Sequence, residues 1–413
     1  MKIRTRLGND RLRAAQRFRR GLRPALETLE GRVVLSQILW DISAAPTGGD
    51  FDTATNWVGN VVPGANDDAV INLPGSGGTV TFAAGVGDTV QSLTTNAATS
   101  LDLSSATLTL TNASTIGGSL NLDGGTIAGA GTLTVNALNW TAGYLEDLLT
   151  ATGTSSISGA DAKRLYGTLT NAGTIADSST GAIYGLSADA TIVNQAGATF
   201  DSQSDGSLSP IYGGTFNNSG TFKKSLGSGT TTVAFGFNNT GTIEVDSGTI
   251  SATGGGSLGG SMAITAGTLS LDSGTFNVQP DTTETGAGTL QLNGGTLALG
   301  TDTPANMTAV NFTLLNGTLT GPGTLTTTGA DTWTGGNLGN LTSNGSMAIS
   351  GADAKLLYGT LTNAGTVAFS GIGPIYGYSS AATIVNQAGA IFDSQSDGSL
   401  STIYGGTLTN AGT

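Results

Sequence analysis

The groups in this chain that could act as acids, bases or ligands recur in pairs. "GADAK" sets Asp161 two residues from Lys163 and returns as Asp353 and Lys355. A carboxylate beside a lysine could serve a polysaccharide lyase, but glycan-cleaving sites need several carboxyl or basic groups converging on one face. "DSQSDGS" places Asp201, Gln203, Asp205 and Gly206 at calcium-loop offsets, and Asp393–Ser399 repeats it. Tyr212 and Tyr404 occupy the position where an EF-hand loop needs a bidentate glutamate, so a turn is the better reading. Asp67 and Asp68 are a second, weaker cation candidate. Tyr166, Tyr184, Tyr212, Tyr358, Tyr376 and Tyr404 each precede glycine. Such residues either stack on sugar rings or pack half-buried with a wet hydroxyl, and packing is the commoner fate.

The chain contains neither histidine nor cysteine. The commonest general base, the commonest transition-metal ligand, thiol nucleophiles and disulfides are therefore all missing. No glycine pattern has the strand–helix context of a nucleotide-binding loop. We expect no cofactor, no metal site and no catalytic residue, and the chain reads as a non-enzyme.

Charge is segregated. Ten of the 15 basic residues lie between Lys2 and Arg32. Beyond Val33 only Lys163, Arg164, Lys223, Lys224 and Lys355 oppose 25 acidic residues. Such a body repels phosphate backbones, so no nucleic acid partner is expected. No apolar run is long enough for a transmembrane helix.

What could position these groups is legible in the spacing. Only 10% of residues are charged and 66 of 413 are glycine, yet the apolar residues are patterned, which argues against disorder. "TVTF", "SLTT", "TLTL" and "SLNL" are short alternating strands punctuated by Gly, Asn, Asp and Ser. "YLEDLLTA" and "GADAKRLYG" could each form one helical turn or a loop. Two periods are superposed. Residues 120–220 align with 312–412 at a spacing of about 192, so long repeats run over about 120–311 and 312–413, the second incomplete. Within them Asn171, Asn194, Asn218 and Asn239 follow at 23, 24 and 21 residues, and Asn363, Asn386 and Asn410 repeat the series.

Three short strands in such a period make one turn of a parallel β-helix, whose coils must stack to bury their apolar faces. The expected fold is all-β: a parallel, right-handed β-helix over 75–413, of roughly fifteen coils at about 4.8 Å each. Stacked hairpins or an irregular solenoid are the rival folds. The asparagines should occupy equivalent corners and hydrogen-bond from coil to coil, as amide ladders do. They also tolerate the left-handed conformation of tight turns. On this reading the rod lengthens by copying a block of coils.

The first 36 residues form a basic leader, disordered or helical. Leu26, Glu27, Leu29, Glu30, Arg32, Leu35 and Ser36 in "ALETLEGRVVLS" resemble the LEPR-XLL motif found near the N-terminus of many large extracellular proteins of planctomycete bacteria, with Thr28 standing in place of the usual proline. The resemblance implies a secreted or surface protein. In 37–74, Trp40, Asp41, Asn56, Trp57, Pro63, Asp67 and Asp68 resemble the entry module that precedes β-helical repeats in autotransporter-like surface proteins. A first coil has an open apolar end, and Trp40 and Trp57 are placed to cap it.

The function these features imply is an extracellular structural or adhesive rod. The alternative is a carbohydrate-active β-helix enzyme. Surface glycans or other surface proteins are the expected partners. The chain stops within a repeat, so we expect further sequence beyond Thr413 or self-association through an uncapped last coil.

Overall fold

In "TLTN", "TIVN", "TFNN" and "GFNN" the second and fourth side chains are buried and the others half-exposed. That alternation gives an extended strand one dry face, and β-branched threonine suits the other. A three- to five-residue strand cannot shield its dry face alone, so it must be stacked. The computed structural model describes residues 36–413 except 281. Its strands form an all-β, parallel β-solenoid of about 17 turns. Leu26, Glu27, Leu29, Glu30, Arg32 and Leu35 of the leader motif lie outside the described residues, and Ser36 opens the first strand.

From Leu148 onward each strand pairs in parallel with the third one after it, so a turn has three faces. We call the faces after their strands in the first long repeat. Thr168–Asn171 lies on the first, Thr174–Asp177 on the second and Lys163–Leu165 on the third. Most inward residues are aliphatic or aromatic. Phe200, Phe216, Phe222 and Phe237 form one interior cluster with ring centroids 4.9–6.1 Å apart, mostly edge-on or tilted.

Four expectations need correction. The ladder begins at Ser36, well before residue 75, because Ser36–Leu39 pairs in parallel with Asp67–Ile71 and Gly48–Asp50 with Gly78–Thr81. The entry segment is thus a widened first coil. "YLEDLLTA" and "GADAKRLYG" contribute strands, and the only helical element among the described residues is the 3-10 turn Ala54–Asn56. Coil length also varies more than the asparagines suggested. After the first coil it runs from 16 residues, Leu133 to Leu149, to 25, Ile175 to Phe200. Corner loops absorb the difference.

The last correction concerns the duplication. Thr168–Asn171 and Thr360–Asn363 have the same sequence, but 28 strands separate them, one more than nine full turns. Thr360–Asn363 therefore stacks on Leu341–Ser343, in the column that runs back to Thr174–Asp177. The second copy is displaced by one face, a third of a turn. The copied block is not a whole number of coils.

Candidate functional site

The asparagines come first because they are the most regular polar feature. Asn171, Asn194, Asn218 and Asn239 are in direct register on the first face, and all four are buried. Asn171 Nδ2 donates to Asn194 Oδ1 at 2.8 Å, Asn194 to Asn218 at 2.7 Å, and Asn218 to Asn239 at 2.6 Å. The second proton of each amide goes to a backbone carbonyl at the same corner of the next coil: Thr199, Thr221 and Thr242, at 2.8–3.0 Å. Asn239 ends the ladder on Gly259 O at 2.5 Å, where Leu258 replaces the next asparagine. Asn363, Asn386 and Asn410 repeat the ladder on the second face, at 2.7 and 2.8 Å, with Asn410 exposed. Because Asn363 bonds the carbonyl of Ile391, the counterpart of Thr199, that exchange leaves the contact intact.

These asparagines do not adopt the left-handed conformation; Asn60 is the one non-glycine residue with positive φ among those described. The glycine two residues on has a different reason as well. A Cβ on Gly173 would sit 2.2 Å from Gly153 O, on Gly241 2.1 Å from Gly220 O, and on Gly365 1.9 Å from Gly345 O. Coil backbones meet at this corner, and only hydrogen fits between them.

Trp40 and Trp57 face each other across an antiparallel bridge, rings 5.0 Å apart and nearly perpendicular. Trp57 packs on Phe51, which stacks on Phe82 at 4.7 Å, closing aromatic surface over the first coils. Both indole N–H groups are satisfied, by Ala45 O at 2.9 Å and Phe51 O at 2.7 Å. Asp67 accepts from Ser36 Oγ and from Gly64 N at 2.9 Å, and Asp68 from Ser92 Oγ at 2.5 Å. Both carboxylates are engaged in joining strands.

The acid–lysine pairs dissolve on inspection. Lys163 and Lys355 point inward and are fully buried, while Asp161 and Asp353 are exposed. Lys163 Nζ donates to Gly159 O at 3.0 Å, and Lys355 Nζ to Asp353 O at 2.8 Å. Burial lowers the pKa of both lysines. A substrate outside the rod cannot reach them. In "DSQSDGS", Asp205 accepts from the buried Lys224 Nζ at 2.9 Å and from Gly229 N at 3.2 Å, while Asp201 accepts from Gln203 Nε2 at 2.9 Å. The lysine takes the place a cation would have. Among the described residues no group of three or more carboxylates is placed to hold a metal ion.

The tyrosines do gather. Tyr144 and Tyr166 stack with centroids 6.4 Å apart, and Arg164 lies 5.0 Å from the Tyr144 ring centre. Tyr358, Tyr378 and Tyr404 form a row at 5.4 and 5.1 Å. Tyr358 also borders a groove of about 360 Å³ with Thr318, Thr320, Asn337 and Asn340. Tyr184 and Tyr376 stand half-exposed on flat strands, and Tyr212 is 74% exposed. Tyr144 and Tyr378 were missed because neither precedes a glycine in the "LYG" or "IYG" pattern.

Sequence reasoning also missed a set of buried carboxyls. Asp88, Asp147, Asp177, Glu284 and Asp331 all lie at inward or corner positions and are at least nine-tenths buried. Asp88 is raised to about 7, first by burial and then by the neighbouring Asp52 carboxyl; Asp52 Oδ2 and Asp88 Oδ2 are both buried without a partner. Burial raises Glu284 to about 7 and Asp331 to about 6, although Asp331 accepts from Thr327 and Ser343 hydroxyls. Asp147 and Asp177 are raised for the same reason. The signal was available in "ADTW": period-two alternation puts Asp331 on the same side as the buried Trp333.

No family model, curated protein or solved structure matches the chain.

Proposed function

We propose that the chain is a non-catalytic structural or adhesive rod that works outside the cell or at its surface. The observation that carries this reading is the asparagine ladder. The amides of Asn171, Asn194 and Asn218 are buried and donate to the next coil, so the most repeated polar group serves stacking. The carboxyls that are raised toward neutrality lie in the interior, and the lysines of the acid–lysine pairs face away from any external substrate. The extracellular setting rests on the leader's resemblance to LEPR-XLL proteins. Among the described residues no helix is long and apolar enough to cross a membrane.

The test is incubation of the purified protein with acidic and neutral polysaccharides, followed by chain-length analysis. Unchanged polymer length is the expected result. Cleavage that disappears in Asp161→Asn or Asp353→Asn would establish the carbohydrate-active alternative. Fusing the leader to a reporter and fractionating the host tests the location, with reporter outside the cell as the expected outcome.

A further inference from the structure

The solenoid has five basic side chains, and four are already committed. Lys163 and Lys355 donate to backbone carbonyls inside the coils. Lys224 is buried on Asp205, Ser204 O and Thr231, and Lys223 lies between Glu244 at 2.8 Å and Asp246 at 2.7 Å. The fifth is Arg164, the single arginine among the described residues. No carboxylate lies within 4.0 Å of it among those residues, and its one hydrogen bond, to Ala162 O, is stretched to 3.5 Å.

Its surroundings are aromatic. Tyr144, Arg164 and Tyr184 are direct register partners on the outer side of the third face, one coil apart. Tyr166 stacks on Tyr144 at an interplanar angle of 26° and is 37% exposed. The second copy supplies an internal comparison. There the same row reads Asn337, Leu356, Tyr376, on the first face, with neither the arginine nor the first tyrosine.

We propose that Tyr144, Arg164, Tyr166 and Tyr184 form a binding site for a polysaccharide that carries uronic acid residues spaced by neutral sugars. A guanidinium held against a tyrosine face keeps its outer N–H edge for a planar carboxylate, which it can grip with two parallel bonds. The tyrosine rings offer apolar surface and hydroxyls, matching the two kinds of surface on a pyranose. The spacing of charge follows from the field. One cation stands on a body with 25 acidic residues against five basic ones, so a densely charged polymer is repelled and sparse carboxylates are accepted. The inference rests on the adhesive reading and names its ligand class.

The experiment is calorimetric titration of the full chain with an oligosaccharide alternating uronic acid and neutral sugar, beside its methyl ester and an acidic peptide. Wild type is expected to bind the free acid at least tenfold more tightly than the ester or the peptide. Arg164→Leu, which copies the second repeat and so preserves the coil, should lose that preference. Leu356→Arg should add a second, weaker site. The proposal fails if Arg164→Leu binds as wild type does, if the ester binds equally, if the peptide is preferred, or if no saccharide binds to protein with an intact β spectrum. If the oligosaccharide is shortened during titration, the site stands and the non-catalytic reading falls.

Discussion

Replacing Asn218 by alanine removes the middle rung of the first ladder. The wild-type side chain accepts from Asn194 at 2.7 Å and donates to Asn239 at 2.6 Å and Thr242 O at 3.0 Å. The three asparagine amides are shut away from water, so Asn194 Nδ2 and Asn239 Oδ1 would each lose a partner in a dry corner. An unmet buried polar group costs about 1–3 kcal/mol, against about 0.5–1.5 for the net loss of an ordinary hydrogen bond. Partial relaxation and entry of a water molecule reduce the sum, and we expect a loss of about 3 kcal/mol in the local stability of these coils. Asn293→Ala is the comparison, since that residue is exposed and water can replace its bond to Asp272; its cost should stay below about 1 kcal/mol. A long array need not unfold in one step. Amide hydrogen exchange, read coil by coil, is therefore the assay. Faster exchange confined to residues around 194–242 is the expected pattern in Asn218→Ala. Equal effects of the two substitutions would refute the ladder as a source of stability.

Acid should strengthen this protein. Asp88, Glu284 and Asp331 have folded-state pKa values of about 7, 7 and 6, above their ordinary values, so the folded chain holds more protons than the unfolded one between about pH 4 and 7. Stability is then fully present at about pH 4 and falls as pH rises through 7. Asp205 and Asp246, whose values are lowered, act below that window. Urea denaturation from pH 5 to 8 measures the slope, Asp88→Asn should flatten it, and stability that rises with pH would contradict the assignment. Gly365→Ala should cost about 1–3 kcal/mol or more, because its Cβ would meet Gly345 O at 1.9 Å, whereas Gly87→Ala, with open space around it, should change stability by less than about 0.5 kcal/mol. Thermal melts of the two variants make that comparison.

The coil was legible because asparagine marks it. Wherever Asn171, Asn194, Asn218 and Asn239 punctuate the chain, period, parallel stacking and corner position follow from spacing and from the amide's need for two donors and an acceptor. Between Asn239 and Asn363 no such marker recurs, and coils shorten to 19 residues, as from Phe237 to Gly256, or 16, from Leu325 to Leu341. Strand counting through that stretch fails without coordinates, which is why the third-turn displacement of the second copy was hidden. The interior lysines were hidden for a related reason. In "GADAKRLYG" the alternation permits either Lys163 or Arg164 to face outward, and desolvation alone argues against the lysine. The choice was made by carbonyls at the Gly159 turn that only the folded corner brings within reach. Asp88 and Asp52 are 36 residues apart in sequence and meet because the widened first coil stacks on the second.

The central claim, parallel stacking in one register, can be tested by disulfide trapping, since the chain has no cysteine of its own. Thr170 and Val193 are register partners on successive coils, and Asn217 is the next in line. Adjacent parallel strands lie about 4.8 Å apart, inside the range a disulfide spans, and a two-coil separation lies outside it. Thr170→Cys with Val193→Cys should oxidise to an internal disulfide, and Thr170→Cys with Asn217→Cys should stay reduced. Bridging of the second pair, or of neither, would contradict the coil register on which the whole account depends.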